Sequence, residues 1–374
     1  MTKTECLDLI AVCKRTLDRQ PSSARHYFLL INAFNMLGWH QQALIYAHKA
    51  TQLMPQHYAI QALLLRTLLF TGQINAAWSH AQTLLTVMGG NWQILNAAAE
   101  VARWKGLMTH ALKWQRLALE HVLSRSHQSN LCTANACDFN YVENETLLWQ
   151  ILQLCHDAGL KVFPIAGSLL GLEREGHLLP FDKDLDVGVD YRHLNKVVRL
   201  LTQHGWWEDS ASFGMKNPRV MRHVSGVALD VCGFYTPASS SASYGGFWAK
   251  GLARETQRIT VYPVFNTTLK QTPVGQSWYL SEPINWLVAL YGCDWQTPNP
   301  YFDSVIGAKN LTACTELTDY YLFSHLTQYW QQGRMAKFME SLQSGLRHAP
   351  DDVLLLASLN KWQSWGTQVS IAYT

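Results

Sequence analysis

Three aspartates near the middle of the chain have the spacing of a metal-binding group. Asp182, Asp184 and Asp186 alternate with Lys183 and Leu185 at the start of an apolar run. Successive side chains of a β-strand point to opposite faces, so Asp184 and Asp186 would share one face. Carboxylates that close repel one another and favour a cation, and hard oxygen ligands without neighbouring cysteine or histidine suit Mg²⁺ or Mn²⁺. The spacing therefore predicts a metal site with Asp184 and Asp186 as ligands.

A third carboxylate, Asp230, lies in the middle of a later apolar run, Val227 to Cys232. Two metal ions about 3.5–4 Å apart, held by such carboxylates, are a recurrent device for phosphoryl and nucleotidyl transfer. Taken singly, each signal has a simpler interpretation. An acid-rich turn is usually a solvated loop, and a lone aspartate in a strand can protect a sheet edge. The combination favours a catalytic site.

The elements that would position these acids begin just upstream. The run Val162 to Ala166 predicts a buried strand, Gly167 and Ser168 a tight turn, and Leu169 to Arg174 a helical turn. Glycine allows close backbone approach, and free N–H groups at the start of a helix favour an anion. We therefore expect Gly167, Ser168 and Arg174 to face phosphate groups.

The order of these elements resembles the polymerase-β-like nucleotidyltransferase superfamily. Three stretches are also similar to motifs of the LicD-type phosphotransferases and fukutin-related proteins: GSLLGLER at 167–174, LPFDKDLD at 179–186 and YGCDWQTP at 291–298. Asp230 stands where that family places its third acid, and the resemblance covers roughly Asn144 to Tyr301. Two positions depart from the pattern, with Phe181 replacing the usual tryptophan and Lys183 a frequent acid.

The resemblance implies transfer of a phospho-alcohol, such as phosphocholine, ribitol phosphate or glycerol phosphate, from a CDP-linked donor to a glycan hydroxyl, with release of CMP. In that reaction Asp184, Asp186 and Asp230 would hold Mg²⁺ or Mn²⁺, and Asp182 would accept the proton of the attacking hydroxyl. Arg174 and the Gly167–Ser168 turn would stabilise phosphate charge. Surface or capsular polysaccharide synthesis is the expected setting.

Two alternatives remain open from the residues. The same acids would serve a nucleotidyltransferase that moves the nucleotide itself and releases pyrophosphate. A non-catalytic adaptor built from tetratricopeptide-like repeats is the second, and retention of all three acids argues against it.

The first third of the chain has a repeat. Gly38, Gly72 and Gly106 are spaced by 34 residues, and an alanine follows each glycine by five positions, at 43, 77 and 111. This is the tetratricopeptide period, one helical hairpin per repeat. Near the carboxyl end, Gly333 and Pro350 repeat the 17-residue spacing of Gly38 and Pro55. Chance glycine spacing in an ordinary helical bundle explains the pattern less well.

The expected fold class is α+β, a polymerase-β-like mixed sheet with helices, preceded and followed by tetratricopeptide-like α-hairpins. The predicted divisions are repeats at 1–125, a polar linker at 126–143, the catalytic domain at 144–310 and further hairpins at 311–374. The stretch Pro237 to Gly246, rich in serine, predicts a mobile surface loop. The helical repeats favour docking on a protein partner or self-association.

Composition excludes several classes of function. The chain has 374 residues with 30 basic and 27 acidic side chains and no basic run, so nucleic-acid binding is not expected. Eight cysteines lack C-x-x-C spacing, which predicts reduced thiols rather than a zinc site. No apolar run reaches the 18 residues of a membrane span, and the first residues do not form a secretory signal. We expect a cytoplasmic protein, bound to the inner membrane at most through partners.

Overall fold

The computed structural model describes residues 1–125 and 140–372. Seven helices make up the first range, and they are α1 (Lys3–Arg19), α2 (Ala24–Met36), α3 (His40–Leu53), α4 (Tyr58–Phe70), α5 (Ile74–Met88), α6 (Trp92–Trp104) and α7 (Met108–Ser124). The helix pairs α2/α3, α4/α5 and α6/α7 are the three predicted repeats.

Each repeat turns at its glycine. Gly38, Gly72 and Gly106 have φ of 73°, 77° and 80°, a left-handed conformation that side-chain-bearing residues rarely adopt. The alanines at 43, 77 and 111 are fully buried, which allows the second helix of each pair to approach the first closely. The 34-residue spacing thus has its physical basis in one turn and one close contact per hairpin.

The second range contains the sheet and its helices. In chain order these are α8 (Tyr141–Asp157), β1 (Val162–Pro164), α9 (Ala166–Arg174), β2 (Asp184–Asp190), α10 (Leu194–Thr202), β3 (Trp206–Glu208), β4 (Met215–Asn217), β5 (Arg219–His223), β6 (Ala228–Phe234), β7 (Ala242–Ala249), β8 (Arg258–Pro263), β9 (Thr267–Thr272), β10 (Gly275–Leu280) and α11 (Pro283–Tyr291).

The main sheet has the strand order β1-β2-β6-β5-β3. Its central pair, β2 and β6, is parallel, and the other neighbours are antiparallel. A three-stranded sheet, β4-β7-β8, and the hairpin β9/β10 complete the α+β architecture. Buried apolar side chains of β1, β2 and β6 form one core with α8, α10 and α11, and its largest members include Phe163 and Trp286.

The last elements are α12 (Glu316–Gln331), α13 (Met335–His348) and α14 (Val353–Ala372). Gly333, with φ 67°, turns α12 into α13 as the first three glycines turn their hairpins. Helix α12 packs against α7 through one apolar cluster that contains Leu119, Val122 and Leu326. The ion pair Arg116 to Asp352 (2.7 Å) adds a polar contact. Helical hairpins from the two ends of the sequence are therefore in direct contact.

Several predicted boundaries differ from the structure. Helix α9 begins at Ala166, so Gly167 and Ser168 lie in its first turn rather than before it. The predicted loop at 237–246 is ordered in its second half, because Ala242 begins β7, which pairs with β8. The expectation of a mobile loop is wrong there.

Most of the predicted linker, 126–139, lies outside the described residues, together with Cys132 and Cys137; the division into four segments stays a prediction. The six cysteines in the described ranges are free thiols. Across those same ranges, no helix has both the length and the apolar character needed to cross a membrane.

Candidate active site

The parallel strands β2 and β6 bring two of the predicted acids side by side. Asp186 is the direct register partner of Asp230, and Asp184 lies two residues earlier on the same face of β2. The residues that alternate with them, Leu185 and Val187, are fully buried on the other face. Alternation in one strand and pairing with the next thus place three carboxylates together.

Asp182 joins this group through the turn that precedes β2. Its N–H donates to the Leu179 carbonyl (3.1 Å), and its Oδ1 accepts from the Lys183 N–H (3.0 Å). Its other oxygen faces the first turn of α9, because a Cβ at Gly167 would stand 2.5 Å from Asp182 Oδ2 and 3.1 Å from Asp186 Oδ2. We refer to Asp182, Asp184, Asp186 and Asp230 as the acid cluster.

Gly167 is required at this point for space. Its N–H donates to Asp186 Oδ2 (3.0 Å), so the backbone approaches the carboxylate as closely as a hydrogen bond allows. The preceding residue, Ala166, has φ of 41°, the one positive value outside glycine in the described ranges. A left-handed alanine is strained, and such strain is typical of functional sites.

Ser168 does not face the cavity. Its side chain is fully buried, and its Oγ accepts from the Asp186 N–H (2.8 Å). The prediction that Ser168 contacts a phosphate disagrees with this placement, because the hydroxyl is already committed to the backbone of β2. The Gly167 N–H is committed to Asp186 in the same way, so Ser168 and Gly167 hold the strand that carries the acids.

The acid cluster concentrates negative charge where water is scarce. Burial, and then repulsion from Asp184, raises the pKa of Asp182 to about 7 and that of Asp230 to about 8. Burial also raises the pKa of Asp184, and it raises that of Asp186 well above its usual range. Among the described residues, none of the four carboxylates has an ion-pair partner.

Arg174, at the end of α9, lines the same cavity from the side. Its Nε donates to Glu175 Oε1 (2.8 Å) and its Nη1 to the Trp295 carbonyl (3.4 Å). The stretch 291–298 provides this wall: Gly292 turns at φ 101°, Trp295 is buried, and Tyr291 lines the cavity. The three motifs noticed in the sequence thus meet at one place.

The cavity has a volume of about 510 Å³ and contains the whole acid cluster, Gly167 and Arg174 in its lining. Its far wall comes from a part of the chain that the sequence did not connect with the site. Lys337, Glu340 and Arg347 of α13 line it, together with Lys309. The three residues of α13 lie more than a hundred positions after the acids, and Lys309 lies 79 positions after Asp230. A charged helix face is ordinarily a solvated one, so no local signal identified them.

Two histidines near the site in the sequence, His177 and His223, lie outside the cavity. His177 Nδ1 lies 2.8 Å from the Leu178 carbonyl and its ring is beside Tyr141, and His223 lies against Trp206. Neither lines the cavity.

The acid cluster suits a hard divalent cation in its chemistry, with four carboxylates and no ion pair to any of them among the described residues. In the arrangement that the structure shows, however, no three acidic, histidine or cysteine side chains of the described ranges are placed to hold a metal ion. The donor atoms fit Mg²⁺ or Mn²⁺, and side-chain rotation would have to bring them onto one ion. A bound cation would offset the repulsion between these carboxylates, which together with burial raises their pKa values.

A mixed sheet with carboxylates on adjacent parallel strands, and a glycine in the first turn of the helix that precedes them, is the architecture of a nucleotidyltransferase domain. Residues 159–234 match the family model described as LicD/FKTN/FKRP, nucleotidyltransferase domain. This segment runs from just before β1 to the end of β6 and includes Gly167, Ser168, Arg174 and the acid cluster. The match agrees with the resemblance of the first two motifs, and similarity to this family indicates a transferase. No curated protein matches the chain.

Proposed function

We propose that the protein is a metal-dependent phosphotransferase that moves a phospho-alcohol from a CDP-linked donor to a hydroxyl of a glycan, in surface or capsular polysaccharide synthesis. One observation carries the proposal: a half-buried cluster of four carboxylates, none with an ion-pair partner among the described residues, lies in a LicD-type domain and shares its cavity with basic side chains. Phosphoryl transfer needs both, because the donor phosphates are anions and the reaction moves charge between oxygens.

In the proposed reaction, the acceptor oxygen bonds to the phosphorus that bears the alcohol, and the bond from that phosphorus to the bridging oxygen breaks. CMP leaves with the bridging oxygen. The proton of the acceptor hydroxyl passes to Asp182, the one member of the acid cluster outside the strand pair. Arg174 is placed to stabilise charge on the donor phosphates.

Asp184, Asp186 and Asp230 are the residues that would hold Mg²⁺ or Mn²⁺. Such an ion neutralises charge on phosphate oxygens. The hydrogen bonds of Gly167 and Ser168 to Asp186 hold β2 against α9 and so fix the positions of the carboxylates.

The test is calorimetric titration of the purified protein with CDP, UDP, ADP and GDP, with and without Mg²⁺. We expect binding of CDP that depends on Mg²⁺ and weakens at least tenfold in Asp184→Asn. Asp190→Asn is the matched control, because Asp190 lies on the same strand but pairs with Arg192 outside the cavity.

Preference for another nucleotide, with pyrophosphate as product in ³¹P NMR, would replace the proposal with nucleotidyl transfer. Failure of all four nucleotides to bind would favour the adaptor function.

A further inference from the structure

Helix α13 of the last hairpin forms one wall of the catalytic cavity, although it lies outside the segment that matches the family. Lys337 and Arg347 of this helix line the cavity, as do Lys309 and the acid cluster. The repeat hairpin is therefore placed to contact whatever binds there.

The hairpin is held in this position by a buried anchor. Asp303, 7% exposed, accepts from Tyr329 of α12 (3.2 Å) and from Ser341 of α13 (3.2 Å), and it lies 2.7 Å from His325 Nδ1. Arg258 of β8 donates to two carbonyls just after Asp303, those of residues 304 and 305, at 2.6 Å each. The segment that contains Asp303 thus connects β8 to α12 and α13. The cavity wall formed by Lys309, Lys337 and Arg347, the basic wall, is therefore a fixed part of the site.

Lys337 has no ion-pair partner among the described residues. It is half-buried, and no carboxylate of the described residues lies within ion-pair distance of its ammonium, not even Glu340 one turn away. Burial, with repulsion from Lys183 and Arg334, lowers the Lys337 pKa, while the acids Asp303 and Asp182 oppose this. A cation kept at such a cost, in a cavity, has the environment of an anion-binding group.

We propose that Lys337, together with Lys309 and Arg347, binds a phosphoryl group of the substrate, which makes the C-terminal repeat hairpin a part of the active site. The inference deepens the proposed function and rests on it for the identity of the nucleotide. The group belongs either to the diphosphate of the donor or to a phosphate on the acceptor. A compact ammonium and a guanidinium fork both suit phosphate oxygens.

The experiment titrates wild type, Lys337→Gln and Lys337→Arg, all with Mg²⁺. The probes are CDP, pyrophosphate, and inorganic phosphate added to protein already saturated with CDP. A loss of tenfold or more in CDP affinity in Lys337→Gln assigns the site to the donor. Unchanged CDP affinity with loss of phosphate binding to the saturated protein assigns it to the acceptor. Lys337→Arg should retain most of whichever affinity is lost.

Arg334→Gln is the control, because Arg334 precedes α13 and lies over the Tyr329 ring rather than in the cavity. It should bind every probe within about twofold of wild type. Lys337→Gln should melt no lower than wild type, since it removes a half-buried charge that has no ion-pair partner among the described residues. Unchanged binding of all three probes in Lys337→Gln would overturn the inference.

Wild type that binds pyrophosphate but not CDP would refute the proposed donor alone, and the pyrophosphate affinity of Lys337→Gln would then decide the role of the basic wall. Wild type that binds none of the probes would overturn both proposals.

Discussion

Gly167 is the residue at which backbone and carboxylates come closest. A methyl group there would stand 2.5 Å from Asp182 Oδ2. That oxygen is the end of a side chain in a half-buried position, so it can move aside, whereas a backbone atom could not. The cost of a larger residue should therefore fall on the geometry of the site more than on the stability of the fold.

Gly167→Ala should accordingly separate activity from stability. We expect Mg²⁺-dependent CDP binding to fall at least tenfold, because the displaced Asp182 carboxylate disturbs the acid cluster. The melting temperature should stay within about 2 °C, since alanine favours the helix by up to about 1 kcal/mol and offsets the crowding. Thermal unfolding and calorimetric titration measure the two effects on one preparation.

Gly171 provides the contrast on the same helix. A Cβ there would meet backbone atoms of residues 177 to 179 at 2.7–3.1 Å, which cannot rotate away. Gly171→Ala should lower the melting temperature clearly. Equal destabilisation by Gly167→Ala and Gly171→Ala would mean that the Asp182 side chain cannot move away from a methyl group any more than the backbone near Gly171 can.

At the scale of elements, the segment that carries Asp303 decides where α13 lies. Burial alone would raise the pKa of Asp303, but hydrogen bonds and the charge of His325, the Val305 N–H and the Tyr329 hydroxyl lower it to about 2. A folded-state pKa below the unfolded value means that the carboxylate stabilises the fold at neutral pH. This contribution is complete above the unfolded pKa, near 4, and is lost as the pH falls through 2.

Asp303→Asn should therefore lower the free energy of unfolding by about 2 kcal/mol, the usual size for hydrogen bonds to a charged group. Denaturant titrations of wild type and variant should differ clearly at pH 5, and the difference should narrow as the pH falls from about 4 towards 2. Asp351→Asn is the control, an exposed acid in the turn before α14. A difference that widened in acid would rule out the ionised carboxylate as the stabilising form.

The elements that follow local rules were predictable from the sequence. The 34-residue glycine spacing predicted the hairpins, and apolar runs predicted β1, β2 and β6 with the acids on one face. Three features depended on partners far along the chain. Ser168 was predicted to contact a phosphate, but its hydroxyl binds the backbone of β2. The second half of the stretch after Pro237 is ordered because β8 pairs with it from Ala242 on. Helix α13 reaches the cavity only because Asp303 and α7 hold the hairpin there. Strand preference and surface charge depend on such context.

At the scale of the molecule, the helical repeats are fastened to the sheet from both ends. Trp207 Nε1 of β3 donates to the Met36 carbonyl (2.8 Å), and the Lys3 N–H donates to the Val224 carbonyl (2.9 Å). At the other end, α7 packs on α12, and α12 turns into α13 at the cavity wall. A substitution that weakens packing around α12 should therefore disturb the catalytic site, whereas one that weakens packing in the repeats far from α12 should not.

Two leucines of equal burial test this coupling. Leu326 of α12 and Leu30 of α2 are both fully buried, in different apolar clusters. Leu326→Ala and Leu30→Ala should each cost about 2–5 kcal/mol of stability. At a temperature below the melting of both variants, only Leu326→Ala should speed hydrogen exchange of the amides in α13 and weaken CDP binding. The reason is that only the void left by Leu326 lies in the apolar cluster that packs α12 and α13 against α7. Equal exchange in α13 for the two variants would mean that the repeats and α13 unfold as one cooperative unit. A destabilising substitution anywhere in the repeats would then affect the site.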